Sequence, residues 1–352
     1  MRHLILLTAL LGLFSAHVNA QEFPIPAWER DTVAAGWDRQ GAREYFQFIR
    51  DSSVVTGLMV VQHGKVVFQY GDLQENSYIA SCRKSVLAML YGEYVENGTI
   101  DLDQTIEALG IDDVKGILPI EKQATVQDLI SARSGVYHPE GYPGGMQEYA
   151  PERGSVKPGE YWLYSNWDFN VAGYVFEQQT GQNIYDEVQR QLALPLGMQD
   201  WDRSLQQKQG DTTLSRYLAY PMWFSTRDMA RIGLLMLHKG KWQDQRLISE
   251  AWVQEMITQR TPYKEVNRNV PNFRDTGVNL GYGYMWWLFE DMNDPRFEGA
   301  YAAMGAMGQA IAVFPAIDAV VTYKTKAAYR RVNSGQTRLD LLKKAVALYT
   351  PE

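Results

Sequence analysis

The sequence predicts a mixed α/β fold of the α+β kind, in which one antiparallel sheet built from both ends of the chain is flanked by helices and joined to a helical region. Three observations lead to this expectation. Apolar, β-branched runs lie near the start, at about 50–75, and return near the end, at about 281–330. Between them, over about 81–260, apolar residues recur mostly at helical spacing. Strands at both ends with helices between them imply one sheet with a helical insertion.

The first predicted elements are a strand hairpin and a long helix. Residues 56–62 and 65–70 are apolar and β-branched, and His63-Gly64 between them is a two-residue turn signal. They should form adjacent antiparallel strands. After Ser81, apolar residues repeat at helical spacing until Asn97-Gly98, which is a helix stop. This helix should lie at the centre of the fold.

The later elements follow the same reasoning. Helices are predicted within 126–131, 170–179, 185–192, 226–238 and 249–256. Strands are predicted at 283–289, 309–314 and 319–324, followed by a closing helix over 337–349.

The first twenty residues are typical of a secretory signal peptide. Arg2 and His3 precede an apolar run over 4–14, and Val18-Asn19-Ala20 is a small-residue cleavage site. We expect a single domain at 21–352, located in the periplasm or secreted, with no stable membrane anchor after cleavage. A retained anchor is the alternative, but the apolar run is shorter than the ~20 residues that span a bilayer. The net charge of −7 argues against nucleic-acid binding.

The most informative chemical feature is Ser81-Cys82-Arg83-Lys84 at the predicted start of the long helix. Residues three apart share a helix face, so Ser81 Oγ and Lys84 Nζ can meet within hydrogen-bond reach. A serine hydroxyl needs a neighbouring base to become a nucleophile, and a partly desolvated lysine can be that base. Cys82 is an alternative nucleophile, although it points to another helix face. As the sole cysteine of the chain it can form no internal disulfide.

A second chemical element is Tyr164-Ser165-Asn166. A nearby ammonium can lower the pKa of a phenol, so Tyr164 could take the Ser81 proton and pass it to a leaving group. Asn166 has a carbonyl and an NH₂ group that can bridge Lys84 and a substrate carbonyl. The alternative is a loop tyrosine that simply packs against neighbouring tryptophans.

The third element is the glycine-spaced stretch 304–309, which leads into a predicted strand. Glycines in strands often mark a close approach of ligand or backbone. A backbone N–H group here could join the Ser81 N–H group in holding an oxyanion. The alternative is that these small residues only allow the sheet to pack against the Ser81 helix.

Other chemistries have weaker support. A serine–histidine–acid triad would need a histidine, and His138 is the one plausible candidate, but no Gly-x-Ser-x-Gly motif is present. His, Cys and carboxylate residues show no metal-ligand spacing, so we expect no metal site. The sequence also contains no Gly-rich phosphate loop. Tryptophans, in particular Trp167 and Trp223, could line an apolar acyl pocket.

With these three elements in this order, the chain resembles the serine β-lactamase-like hydrolases, the group of class C β-lactamases, D-alanyl-D-alanine carboxypeptidases and related esterases. The resemblance extends to stretches without a catalytic role, over 98–103, 125–135, 158–159, 195–198, 225–231 and 281–284. It implies a β-lactamase/transpeptidase-like fold with the site between the sheet and the helical region. It also implies a mechanism without metal or cofactor, in which an acyl group is carried on the serine.

The resemblance implies a role for each site residue. Ser81 would be the nucleophile, and Lys84 and Tyr164 would share the acid–base work. The N–H groups of Ser81 and Ala306 would form the oxyanion hole. Substrate contacts are expected from Asn166, Gly305, Ala306 and Gln309.

The sequence departs from the class C pattern at one position. The lysine or histidine that attracts a substrate carboxylate in those enzymes is matched here by Ala303. This favours an esterase or amidase acting on small-molecule esters or amides. A carboxypeptidase or class C-like β-lactamase is the first alternative, with Arg83 or Arg133 supplying the cation. A non-catalytic penicillin-binding or sensing protein is the second.

Overall fold

A computed structural model describes residues 23–24, 27–30, 38–276 and 278–348 of the 352-residue chain. The predicted signal peptide, residues 1–20, lies outside the described residues. In the described part of the chain, no helix has both the length and the apolar composition needed to cross a membrane.

The predicted fold class is confirmed, with a large antiparallel sheet and a set of helices. Within the described residues the strands are β1 Gly57–Gln62, β2 Lys65–Gly71, β3 Ser77–Tyr78, β4 Trp223–Phe224, β5 Lys241–Trp242, β6 Gln245–Arg246, β7 Leu280–Tyr282, β8 Trp287–Phe289, β9 Tyr301–Gly305, β10 Gln309–Phe314 and β11 Ala319–Lys324. The α-helices of the same residues are α1 Arg39–Ser52, α2 Cys82–Glu96, α3 Val126–Ile130, α4 Asn166–Thr180, α5 Ile184–Glu187, α6 Thr226–Leu237, α7 Glu250–Met256, α8 Tyr263–Asn269 and α9 Gly335–Ala347.

The main sheet joins the two ends of the chain. Its strand order is β2-β1-β11-β10-β9-β8-β7, and every neighbouring pair is antiparallel. The central pairing of β1 with β11 places Gly57 opposite Lys324 and Gln62 opposite Ala319. All six residues of β1 and all six of β11 are buried, because helices cover both faces of the sheet.

Different helices cover the two faces of the sheet. On one face α6 approaches closely at Gly233, where a Cβ atom would lie 2.4 Å from Val320 Cγ1. The helix α2 lies on this side as well, and its residues from Cys82 to Gly92 are all buried, as expected for a helix at the centre of a fold. On the other face α1 and α9 pack together, with Tyr45 OH donating to the Leu341 carbonyl at 2.8 Å.

Two predictions about the late strands need correction. Of the predicted strand at 283–289, only the end is a strand, β8, because residues 283–286 form the turn from β7, in which Met285 has a φ of 59°. A single apolar run therefore folds back on itself. The strand β9 was not predicted, because its sequence of small residues lacks β-branched side chains. The predicted hairpin and the predicted helix after Ser81 are confirmed.

Candidate active site

The candidate nucleophile lies where the short strand β3 leads into α2. Ser81 is the N-cap residue of the helix and remains partly exposed, whereas Cys82 to Gly92 are buried. The preceding residue, Ala80, has a φ of 50°, a left-handed conformation that is unusual for a residue with a side chain. Such backbone strain is found preferentially at functional sites, where the surrounding fold holds it.

Lys84 brings the first two sequence motifs together. Its Nζ atom lies 3.1 Å from Ser81 Oγ, 2.7 Å from Tyr164 OH and 2.6 Å from Asn166 Oδ1. The lysine is 1% exposed, so these contacts take place away from bulk water. Four side chains predicted from separate stretches of sequence therefore form one hydrogen-bonded group with a single exposed member.

Burial shifts the pKa values of two side chains of this group, Lys84 and Tyr164. Loss of solvation is the largest reason why the pKa of Lys84 lies well below its ordinary value, and the charge of Arg83 lowers it further. Burial also raises the pKa of Tyr164. The expected lowering of that phenol pKa by a nearby ammonium is therefore wrong, because desolvation outweighs the effect of neighbouring charges. Burial therefore favours the neutral amine of Lys84 and the neutral phenol of Tyr164.

The Tyr164 ring is held by an aromatic cluster that the sequence did not predict. Trp287 of β8 stacks on it at 5.5 Å between ring centres and an angle of 20°. Phe169 of α4 packs at 4.9 Å and Tyr282 of β7 at 6.2 Å. These contacts with the helical region and with the sheet fix the ring between the two parts of the fold.

Asn166 is held by a loop that lies about 25 residues earlier in the chain. Its backbone N–H group donates to Glu140 Oε1 at 2.6 Å, and its Nδ2 donates to the Tyr142 carbonyl at 3.2 Å. Ser165, the N-cap residue of α4, makes no side-chain cap. The Glu140 carboxylate therefore satisfies an N–H group at the start of α4, where the helix dipole favours negative charge. Glu140 was missed from sequence because no local motif links it to this helix.

The third motif lies against the start of α2. A Cβ atom at Gly305 would lie 2.7 Å from the Ile79 carbonyl oxygen and 3.0 Å from Ala80 Cβ, so only glycine fits at the end of β9. The three-residue turn that follows begins with exposed Ala306 and continues through Gly308, which has a φ of 94°. This close approach brings the turn next to the residue that precedes Ser81.

The side chain of Gln309 is buried and joins neighbouring backbone segments. It is 1% exposed, and its Nε2 donates to the carbonyls of Tyr78 and Thr325, each at 3.1 Å. Both N–H donors of the amide are thus used to join β10 to β3 and to the end of β11. A role for Gln309 in substrate binding stays a prediction, as do the substrate contacts expected from Asn166, Gly305 and Ala306.

The comparison with known protein families decides the family of the chain. Residues 30–344 match the family described as Beta-lactamase. This chain belongs to the Beta-lactamase family. The match covers the sheet, the helical region and all three motifs, which agrees with the resemblance drawn from the sequence.

Solved structures of Beta-lactamase fold proteins include esterases and penicillin-binding proteins. The chain is similar to a family VIII carboxylesterase, with 14% identity over 91% of this chain and 99% of that one and a TM-score of 0.63. It is also similar to EstCE1, a hydrolase with promiscuous acyltransferase activity, with 15% identity, coverage of 87% and 98%, and a TM-score of 0.63. A penicillin-binding protein homologue from Caulobacter crescentus has 15% identity, coverage of 88% and 97%, and a TM-score of 0.61. At these low identities, the structural similarity shows a shared fold.

Of the two arginines considered as substitute cations in this Beta-lactamase family member, one is ion-paired and the other is buried. Ala303 is fully buried in β9. Arg133 Nη1 lies 3.0 Å from Glu265 Oε1 in an ion pair, and its Nε donates to a carbonyl. Arg83 is 2% exposed, and its Nη2 donates to Asn170 Oδ1 at 3.2 Å.

The alternative nucleophile and the alternative base also lie outside the group around Lys84. Cys82 is completely buried, and burial raises the pKa of its thiol, which disfavours the reactive thiolate. His138 is 1% exposed, and its Nε2 lies 2.6 Å from the Val114 carbonyl oxygen while its Nδ1 lies 3.0 Å from that of Pro139. Both ring nitrogens are thus occupied by backbone. A Ser–His pair is therefore not formed.

Of the two tryptophans considered for an acyl pocket, one belongs to the core. Trp167 is fully buried and its Nε1 donates to Asp113 Oδ2 at 2.7 Å. Trp223 is partly exposed, with its ring 5.7 Å from that of Tyr78, which in turn precedes Ser81 by three residues. A role for Trp223 in an acyl pocket stays a prediction.

Proposed function

We propose that this protein is a serine hydrolase that cleaves ester or amide bonds through an acyl-enzyme on Ser81. The observation that carries the proposal is the position of Lys84 Nζ, within 3.1 Å of Ser81 Oγ, Tyr164 OH and Asn166 Oδ1 in a buried site. An amine whose pKa is lowered by burial can act as a base at neutral pH.

In the first half-reaction, Ser81 Oγ attacks the substrate carbonyl carbon while its proton moves to the unprotonated Lys84 amine. The carbonyl oxygen becomes an oxyanion, and the N–H groups of Ser81 and Ala306 are the proposed donors to it. Tyr164 OH, 2.7 Å from Nζ, then gives its proton to the leaving alcohol or amine and regains one from the Lys84 ammonium. The C–O or C–N bond breaks, and the acyl group remains on Ser81.

In the second half-reaction, water attacks the acyl carbon. The water gives its proton to the unprotonated Lys84 amine, and the proton finally returns from Lys84 to Ser81 Oγ as the acid leaves. Asn166 keeps the amine oriented through both halves, because its own position is fixed by Glu140 and Tyr142. The net reaction consumes one water molecule for each bond cleaved.

Esters and amides without a carboxylate beside the scissile bond are the proposed substrates. A charge-assisted hydrogen bond to such a carboxylate contributes about 1.5–3 kcal/mol, and a buried alanine cannot supply it. The engagement of Arg83 and Arg133 in other contacts supports the same assignment. We therefore place esterase or amidase activity ahead of carboxypeptidase or β-lactamase activity.

A direct test compares wild type with Ser81→Ala on four reagents. We expect wild type to hydrolyse a short-chain nitrophenyl ester, and to be labelled at Ser81 by a fluorophosphonate, with the site read by peptide mass spectrometry. Ser81→Ala should do neither. Faster turnover of a chromogenic cephalosporin than of the ester would instead support a β-lactamase. Stable labelling by penicillin without turnover of any substrate would support a sensing protein.

We also propose that the protein is exported, on the basis of the signal-like residues 1–20. Expression of the full chain in a Gram-negative host should yield a periplasmic or released form that begins at Gln21. N-terminal sequencing of that form tests the proposal, and a full-length product confined to the cytoplasm would contradict it.

A further inference from the structure

Arg83 is a buried cation without a carboxylate partner. It is 2% exposed, its Nη2 donates to the neutral Asn170 amide at 3.2 Å, and its guanidinium carbon lies 4.3 Å from the centre of the Tyr220 ring. Its Nη1 is buried without a hydrogen-bond partner, and Asn170 Nδ2 and Tyr220 OH also lack one. No carboxylate of the described residues forms an ion pair with this guanidinium.

This arrangement is unfavourable for folding. A buried charge that is incompletely paired destabilises a protein, and an apolar side chain of similar volume is often better tolerated. The cation–π contact with Tyr220 and the hydrogen bond to Asn170 offset only part of this cost. The neighbouring residue suggests a further reason for an arginine here, because Lys84 is the buried amine of the candidate site.

The charges around Lys84 come from two directions. Arg83 is the adjacent cation on α2, and an opposing charge comes from Glu140, whose carboxylate accepts from the Asn166 N–H group at 2.6 Å. The other groups that face Lys84 are neutral in this setting, namely the Ser81 hydroxyl, the Cys82 thiol and the Tyr164 phenol. Lys84 thus lies between one buried positive charge and one carboxylate.

We propose that Arg83 is a positioning residue of the reaction, a buried charge that keeps Lys84 unprotonated so that it can receive the Ser81 proton, with Glu140 acting in the opposite sense. The inference rests on the proposed acyl-enzyme function. The electrostatic directions agree with it, since burial lowers the pKa of Lys84 most, Arg83 lowers it further and Glu140 raises it.

The test is the pH dependence of fluorophosphonate labelling, which requires proton transfer from Ser81 and no knowledge of the natural substrate. In wild type the labelling rate should rise with pH as Lys84 loses its proton. Arg83→Met should move this rise to higher pH by roughly one pH unit, because a nearby positive charge is removed. Arg83→Lys, which keeps a charge, should leave it close to the wild-type position. Glu140→Gln should move it to lower pH.

Thermal unfolding of each variant distinguishes an electrostatic effect on Lys84 from a loss of folded protein. The inference would be overturned if Arg83→Met folds and its labelling rate rises at the same pH as in wild type. It would also be overturned if Arg83→Met and Arg83→Lys move the pH of this rise equally. If Arg83→Met does not fold, the Glu140→Gln variant provides the test. A labelling rate that does not rise at lower pH in Glu140→Gln than in wild type would contradict the proposed charge balance around Lys84. Absence of labelling in wild type, or equal labelling of Ser81→Ala, would contradict the acyl-enzyme function instead.

Discussion

Lys84 and Tyr164 should behave as one unit in kinetics, because one hydrogen bond of 2.7 Å joins them and both are buried. We expect Lys84→Ala and Tyr164→Phe each to lower kcat by roughly 10²–10⁴, the usual range for acid–base groups. The double variant should lose little more than the worse single variant, since removing either partner breaks the same proton route. Steady-state kinetics on an ester substrate measures all three. Losses that multiply fully would contradict a shared proton route.

Cys82 provides a matched control beside the nucleophile. Its thiol is buried and its raised pKa keeps it protonated, so Cys82→Ser should retain most of the esterase activity and all of the fluorophosphonate labelling. The substitution should instead lower the stability of the fold, because a hydroxyl replaces a buried sulfur. Loss of labelling in a folded Cys82→Ser variant would return the nucleophile assignment to the cysteine.

The lowered pKa of Lys84 also has a consequence for stability. Between its folded pKa and its unfolded pKa of about 10.4, the unfolded chain binds a proton that the folded protein does not, so the free energy of unfolding rises with pH in that window. Below the folded pKa both states are protonated and the full cost of burying the ammonium remains. Urea unfolding across a pH series should therefore show a smaller rise for Lys84→Met than for wild type. Parallel curves would contradict burial as the cause.

Among the elements of the fold, the end of β9 leaves no room for a side chain. A methyl group at Gly305 would lie 2.7 Å from a backbone oxygen that belongs to the residue before Ala80. Gly305→Ala should therefore lower the stability by about 1–3 kcal/mol and also lower kcat, because β9 and the start of α2 must move apart. Gly110→Ala is a control with open space around it and a φ of 67°, which should cost stability with kcat unchanged. Equal kcat values in the two variants would contradict this role for Gly305.

The elements differ in how far local sequence predicts them. The β1–β2 hairpin and α2 were predictable because turn residues and apolar spacing act within a few residues. The strand β9 was not, since Tyr301–Gly305 contains three small residues whose place in the sheet depends on pairing with β8 and β10. The start of α4 shows the same limit, because Glu140 reaches it from a distant loop.

For the whole molecule, the charge around the catalytic group predicts substrate preference. Ala303 is buried and carries no charge. Arg133 is paired with Glu265 and Arg83 lies inside the protein, so neither arginine is available to a substrate carboxylate. Matched ester pairs with and without a carboxylate beside the scissile bond should show higher kcat/KM for the uncharged member. A strong preference for the carboxylate member would mean that another residue supplies the cation.

For the candidate site as a whole, the grouping of its side chains was predictable and its electrostatics less so. Spacing along one helix was enough to place Ser81 beside Lys84, and motif order brought Tyr164 and Asn166 to them. The pKa of the phenol was predicted in the wrong direction, because the depth of burial of Tyr164 depends on the complete fold.

The insertion of β11 between β1 and β10 has a consequence for how the chain matures. The strand that begins the sheet, residues 57–62, must wait for residues 319–324 to be synthesised before its second edge can be paired. Such non-local pairing makes folding slow, and an unpaired strand edge promotes aggregation while it lasts. If the chain crosses a membrane before folding, as its first twenty residues imply, this delay favours transport, because the sheet cannot close until nearly all of the chain has been made.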